Sequence, residues 1–169
     1  MASVKWTVAH SVWITEIDDQ HKEIFEALAQ FKDLLSGSAA PAEQSKAAER
    51  LTDSIEGHFA HEERLMRAAQ YDGLRWHKGQ HEAARQRARQ LLGQMEQGDD
   101  KAGLALVLYL TSWLRNHTQV ADRMMGAHLR NQGRVGKVVL QTSTKPMDAC
   151  RWVDSKGNKF EPFRTVTTL

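Results

Sequence analysis

Residues 51–69 read LTDSIEGHFAHEERLMRAA. Leu51, Ile55, His58, Glu62, Leu65, Met66 and Ala69 recur at three- and four-residue intervals, the period of one helix face. Two of the residues on that otherwise apolar stripe are a histidine and a glutamate, four apart and pointing the same way. An ionisable side chain on a core-facing stripe is costly unless it is paired, hydrogen-bonded or bound to a metal. The stretch therefore predicts a core helix that carries chemistry into the interior.

Three further stripes flank it. Upstream, Ile17, His21, Ile24, Phe25, Leu28, Phe31 and Leu35 form one, with Asp18 or Asp19 as the expected N-cap and Ser36-Gly37-Ser38 as the stop. Pro41 suits the first turn of the second helix. After the break at Tyr71-Asp72-Gly73, the third stripe runs Leu74, His77, His81, Ala84, Ala88, Leu91, Leu92, Met95. After Gly98-Asp99-Asp100, the fourth runs Leu106, Leu110, Trp113, Leu114, His117, Met124. Four amphipathic helices with short connections predict an all-α, up-down antiparallel four-helix bundle. It spans residues 1–130 and includes an N-terminal arm that carries Trp6 and Trp13. Beyond Gly133 the texture changes. Val135–Gln141 and Ala149–Val153 lean towards strand, Ser155-Lys156-Gly157-Asn158 signals a turn, and Lys159–Thr165 could return as a hairpin that Pro162 weakens. Residues 131–169 are expected to be a basic extension outside the bundle, either a β-hairpin or disordered.

Composition narrows the function classes. Residues 1–130 carry 16 basic and 18 acidic groups and residues 131–169 carry 7 and 3, so the bundle is close to neutral. Nucleic acid is not an expected partner. The longest apolar run, Leu104–Leu110 resuming at Trp113-Leu114, is too short to span a bilayer, so membrane insertion is not expected. No basic region followed by an apolar core and cleavage site stands at the N-terminus, and Cys150 is the only cysteine. Both point to a reducing, cytoplasmic setting. Histidine is the outlier, with eight in the chain.

His21, His58, Glu62, His77, His81 and His117 all fall on the apolar stripes. Six such groups on four helices of one small bundle need a common partner. His77 and His81, four apart, can ligate one ion. Asp122 lies five residues after His117, which on an ideal helix separates the two directions by roughly 140°. Asp122 reaches the same site only if the helix is locally widened, so a π-type turn is predicted between them. Five imidazoles suit iron, zinc, copper or nickel better than calcium or magnesium. With two carboxylates they exceed the four ligands of a structural zinc site and fit two ions sharing bridging carboxylates. The chain has no Glu-x-x-His, the motif of the carboxylate-rich di-iron bundles. A histidine-rich site is less anionic and favours holding O2 over activating it.

These residues resemble the haemerythrin family, in particular its single-domain bacterial members. The likeness covers about residues 6–125 and rests on Trp6, Ile17-Asp18-Asp19-Gln20-His21-Lys22, His58-Phe59-Ala60-His61-Glu62-Glu63 with Leu65-Met66 and Tyr71, His77-Lys78-Gly79-Gln80-His81, and Trp113-Leu114-Arg115-Asn116-His117 followed by Asp122. It departs from the family pattern where a glycine is expected before the first motif and Trp13-Ile14-Thr15-Glu16 stands instead. The resemblance implies two iron ions with an oxo or hydroxo bridge. His77, His81 and His117 would hold one, His21 and His58 the other, with Glu62 and Asp122 bridging. O2 would be the ligand, at the open position of the two-histidine ion.

From spacing, Phe25, Phe59, Trp113 and Leu114 are the expected O2-pocket residues. His10, His61 and His128 do not match the motifs and are expected at the surface or partly buried, without a metal role. Arg85, Arg87 and Arg89 are expected to form a solvated face. The expected function is reversible O2 binding by a carrier, store or delivery protein with no catalytic residue. The alternatives are a di-iron enzyme reducing peroxide or nitric oxide, and an oxygen- or iron-sensing module. A monomer is expected, and the extension is a candidate surface for a protein partner, with Arg85, Arg87 and Arg89 as the lesser alternative.

Overall fold

The computed structural model of the chain describes residues 4–132, 152–153 and 159–160. Two compact units divide the chain, Met1–Gly133 and Arg134–Leu169. In the first, a single 3-10 turn, Val8–His10, precedes four helices: α1 Thr15–Ser36, α2 Pro41–Ala68, α3 Leu74–Glu96 and α4 Ala102–His117. A π-helical turn, Thr118–Asp122, leads directly into α5, Arg123–Asn131. In the second unit, β1 Trp152–Val153 pairs antiparallel with β2 Lys159–Phe160, Trp152 opposite Phe160. The expected turn at 155–158, the strand at 135–141, Pro162 and Cys150 lie outside the described residues.

Packing runs round a ring: α1 against α2, α2 against α3, α3 against α4, and α4 back against α1. Connections of four or five residues (37–40, 69–73, 97–101) leave room only for antiparallel neighbours. The all-α up-down bundle expected from the stripes is the observed fold. Its core is the set of stripe residues themselves: Ile24, Phe25, Leu28 and Phe31 from α1, Leu51, Ile55 and Phe59 from α2, Ala84, Ala88 and Leu91 from α3, Leu106, Leu110 and Leu114 from α4. α4 approaches α1 closely at Gly103, where a Cβ would stand 2.8 Å from a Leu35 methyl.

Local details differ from expectation at three points. α1 begins at Thr15 with Ile14 as N-cap, so neither Asp18 nor Asp19 caps it. Asp18 instead secures the arm: its carboxylate accepts from the Ser11 hydroxyl at 2.6 Å and from the Val12 N–H at 2.8 Å. Second, Met124, placed on the fourth stripe by an uninterrupted helical period, is exposed, and Met125 is fully buried. The π turn inserts one extra residue per turn and moves the buried face along by one position. Third, Trp13 holds φ at 60°, a left-handed conformation that favours glycine. This is where the family pattern leads one to look for glycine. The indole is largely exposed, so the tryptophan is accommodated without a clash.

Candidate metal centre

Four helices and the π turn bring seven ionisable side chains to one interior point. α1 supplies His21, α2 supplies His58 and Glu62, α3 supplies His77 and His81, α4 supplies His117 and the π turn supplies Asp122. All seven are buried. Each histidine arrives by the stripe that makes its helix amphipathic, so the forces that assemble the core also assemble the site. Asp122 arrives because Thr118–Asp122 is a π turn, as the spacing from His117 predicted.

Two overlapping groups result, Glu62, His77, His81, His117 and Asp122 in one and His21, His58, Glu62 and Asp122 in the other. Both carboxylates belong to both groups, and each divides its oxygens between them. Asp122 Oδ1 stands 3.1 Å from His77 Nε2 and 3.0 Å from His117 Nε2, while Oδ2 stands 3.2 Å from His21 Nε2. Glu62 Oε2 stands 3.4 Å from His77 Nε2 and 3.3 Å from His81 Nε2, while Oε1 stands 3.6 Å from His58 Nε2.

The donor set fits metal ions. The Nε2 atom of His117 lies 3.1 Å from the Nε2 atoms of both His77 and His81. His21 and His58 bring their Nε2 atoms to 3.1 Å. One N–H can serve one neighbour, but three ring nitrogens converging on one point cannot all be satisfied by one another. An ion about 2.1 Å from each imidazole nitrogen, at right angles, leaves those nitrogens about 3.0 Å apart. Among the described residues, both oxygens of Glu62 and of Asp122 are buried without a well-formed hydrogen bond. Such atoms are costly in an interior unless a cation takes them.

Protonation without an ion shows the same demand. Burial pushes the Glu62 carboxyl up and Asp122 adds to it, but His58, His77 and His81 outweigh both and hold it well below the carboxylate range. Burial also opposes charge on Asp122, and His117, His21 and His77 overcome it. Burial carries His58 down to about 3. It works against His77 too, but the Asp122 and Glu62 carboxylates carry that ring up to about 9. Two permanent anions thus need cations within reach, and dications meet that need while leaving the imidazoles neutral.

Around the seven, two Nδ1 atoms have partners that the sequence did not identify. Gln20 Oε1 accepts from His58 Nδ1 at 2.9 Å, and a Glu63 oxygen lies 3.4 Å from His81 Nδ1. Among the described residues, Nδ1 of His21, His77 and His117 has none. Gln20 and Glu63 sit inside the motifs already quoted, but one sequence gives no sign of which polar neighbour faces a ring.

Of the pocket candidates, Phe59 stacks on His81 with centroids 3.9 Å apart, and Trp113 stacks on His117 at 4.1 Å. Both flank the three-histidine group. Phe25 and Leu114 are fully buried core residues. A cleft of about 410 Å³, lined by Trp76, Tyr109, Trp113 and Val120 among others, opens onto His117.

His10 and His61 are more deeply buried than expected, and His128 is half-buried. The Thr7 N–H donates to His10 Nδ1 at 3.0 Å, which puts the His10 proton on Nε2. His61 faces Glu16 at 3.4 Å, and His128 lies 3.1 Å from the Ala69 carbonyl. None of the three joins either ligand group. Arg85 is not part of a solvated face: it pairs with Glu56 at 2.6 Å and Glu63 at 3.2 Å.

Fold and site together define a four-helix-bundle protein with a histidine-rich dinuclear metal centre. Residues 13–129 match the family described as the hemerythrin HHE cation binding domain. The bacteriohemerythrin of Pseudomonas aeruginosa is 37% identical over 122 residues, covering 68% of this chain and 78% of that protein. The hemerythrin of Siphonosoma cumanense is 28% identical over 117 residues, covering 69% of this chain and 86% of its own. A solved hemerythrin point mutant superposes with a TM-score of 0.70 at 26% identity, over 76% of this chain and 98% of that one. The chain belongs to the hemerythrin family, and its cofactor is a pair of iron ions.

Proposed function

We propose that residues 1–130 form an O2-binding module that works as an oxygen carrier, store or delivery protein, with residues 131–169 as an extension outside the site. The protein binds O2 at a di-iron centre. One observation carries the residue assignment: Glu62 and Asp122 each turn one oxygen towards two imidazoles of the three-histidine group and the other oxygen towards one imidazole of the two-histidine group. In this reading His77, His81 and His117 would hold one iron, His21 and His58 the other, and Glu62 and Asp122 would serve both. The ferrous pair, when bound, supplies the electrons that O2 takes up and gives back.

The chain's own residues do the rest. The two carboxylates fix the spacing of the ions. Five neutral imidazoles keep the site short of anionic charge. Phe59 and Trp113 cover the three-histidine group, and Phe25 and Leu114 belong to the same apolar core, which limits water and slows irreversible oxidation. The two-histidine group has one imidazole fewer than its neighbour, so it leaves the open position. Among the described residues no helix is long and apolar enough to cross a membrane. The proposed setting is the cytoplasm, with the chain as a monomer.

The test is spectroscopic. The protein is reduced without air, mixed with O2, and then purged. A visible charge-transfer band that forms on mixing and disappears on purging, at two irons per chain, supports the reading. A band that never forms, or turnover of peroxide or nitric oxide at rates far above O2 release, overturns it.

A further inference from the structure

The five imidazoles at the centre are not equivalent on their outer side. Three have no Nδ1 partner among the described residues, and His58 meets the neutral amide of Gln20. His81 alone meets a carboxylate, Glu63. That carboxylate is buried and held from several directions. Its Oε1 accepts from both terminal nitrogens of Arg85 at 3.2 Å, and its Oε2 faces Lys78 at 3.7 Å and Arg67 at 3.9 Å. Arg85 in turn donates Nε–H to Glu56 at 2.6 Å. Its guanidinium also lies 5.2 Å from the centre of the Phe59 ring, the ring that stacks on His81. One arginine therefore touches two of the groups that border His81, the acceptor at its Nδ1 and the aromatic ring stacked on it.

We propose that Glu63, pinned by Arg85, is a positioning residue that widens the difference between the two ions of the centre beyond the one their ligand numbers set. The proposal rests on the di-iron reading above. A ring that donates its Nδ1–H to a carboxylate is held in one tautomer and one orientation, and its Nε2 becomes a stronger donor. On the three-histidine side this favours the higher charge of the ion, whereas on the other side Gln20 offers only an amide dipole. Arg85 sets how much of the Glu63 charge His81 feels. Removing the arginine strengthens the effect, and removing the carboxylate abolishes it. Glu56 anchors Arg85 from the solvent side, so its influence is indirect and smaller.

The test uses the full chain with both irons loaded. Glu63→Gln, Glu63→Asp, Arg85→Met and Glu56→Gln are compared by iron content, by the midpoint potential of the pair, and by the exchangeable imidazole N–H resonances shifted by the paramagnetic ions. Glu63→Gln is expected to raise the potential, move one N–H resonance and weaken metal retention by about 10- to 100-fold. Glu63→Asp keeps the charge and loses the reach, so it moves the same resonance. Arg85→Met is expected to lower the potential, and Glu56→Gln to shift it less than either. Opposite signs for Glu63→Gln and Arg85→Met are what mere loosening of the helices does not produce. The same sign in both, or an unmoved potential and spectrum in Glu63→Gln at two irons per chain, overturns the assignment. A parent protein holding fewer than two irons overturns the di-iron reading instead, and the two failures are told apart by the metal analysis.

Discussion

Asp122 Oδ1 lies 3.0 Å from Nε2 of His117, five residues earlier on the same continuous helical segment. Residues five apart on a regular α-helix face directions roughly 140° apart, so the contact exists only because Thr118–Asp122 winds as a π turn. Deleting Val120, an exposed residue within that turn, should restore regular winding and leave Asp122 four residues after His117, the spacing at which a regular α-helix points both side chains the same way. The deletion is therefore expected to keep the far-ultraviolet helix signal and two irons per chain, whereas an alanine inserted after Val120 should swing Asp122 by about 100° and lower iron below two per chain. A deletion variant that loses iron, or an insertion variant that keeps two, shows that the winding of this turn does not place Asp122.

The two carboxylates should matter to both ions, because each carboxylate serves both groups. Glu62→Ala and Asp122→Ala are each expected to reduce iron to one per chain or fewer. His58→Ala removes a side chain from the two-histidine group alone and should spare the three-histidine ion. Elemental analysis of the purified variants decides it. Equal losses from Glu62→Ala and His58→Ala argue against a bridging role.

Most of the bundle was readable because its determinants are local and periodic. Every ligand-bearing stripe is a three-four repeat of apolar residues in which a histidine replaces a leucine, and the breaks at Ser36-Gly37, Tyr71–Gly73 and Gly98–Asp100 fall between helices. The site was readable for the same reason: burial of the stripe dictates burial of its histidines. What escaped depends on tertiary context. Asp18 looked like an N-cap and instead holds Ser11 and Val12, an interaction seven residues long in sequence that no helix rule anticipates. Met124 was misplaced because a constant period cannot represent an inserted residue. Arg85 reads as a solvated charge and Glu63 has no assigned role in the sequence, because their pairing joins α2 to α3 across 22 positions.

Trp13 sits at φ 60° with its indole largely exposed. A non-glycine residue in that region carries strain on the order of 1 kcal/mol, and little packing is lost on its removal. Trp13→Gly is therefore expected to stabilise the protein by ~1 kcal/mol, raising the melting temperature by about 3 °C. Thermal unfolding of both proteins in the iron-loaded state measures it. A fall in melting temperature means the indole makes a stabilising contact that outweighs the strain.

Truncation after Gly133 removes the second compact unit and leaves all seven proposed ligands and their core in place. The truncated protein is expected to bind two irons and to show the same reversible band with O2. Loss of iron on truncation would assign residues 134–169 a part in holding the site.

Metal removal is the broadest test, because it separates a centre that merely occupies the bundle from one that helps to hold it together. Without ions the interior contains two carboxylates held below their usual range and His77 carried up to about 9, all buried. Ligand binding to the folded state alone stabilises by about 4 kcal/mol when free ligand exceeds its Kd 1,000-fold. At roughly 3 °C per kcal/mol, chelation should lower the melting temperature by about 10 °C or more. The comparison variant is Leu106→Ala, a fully buried core residue of α4 that is not one of the seven ligands, expected to cost about 2–5 kcal/mol. If the centre supports the bundle, the chelated parent falls by a similar amount, and readdition of ferrous iron without air restores it. A chelated protein that melts at the parent's temperature would show that the apolar stripes suffice without the metal.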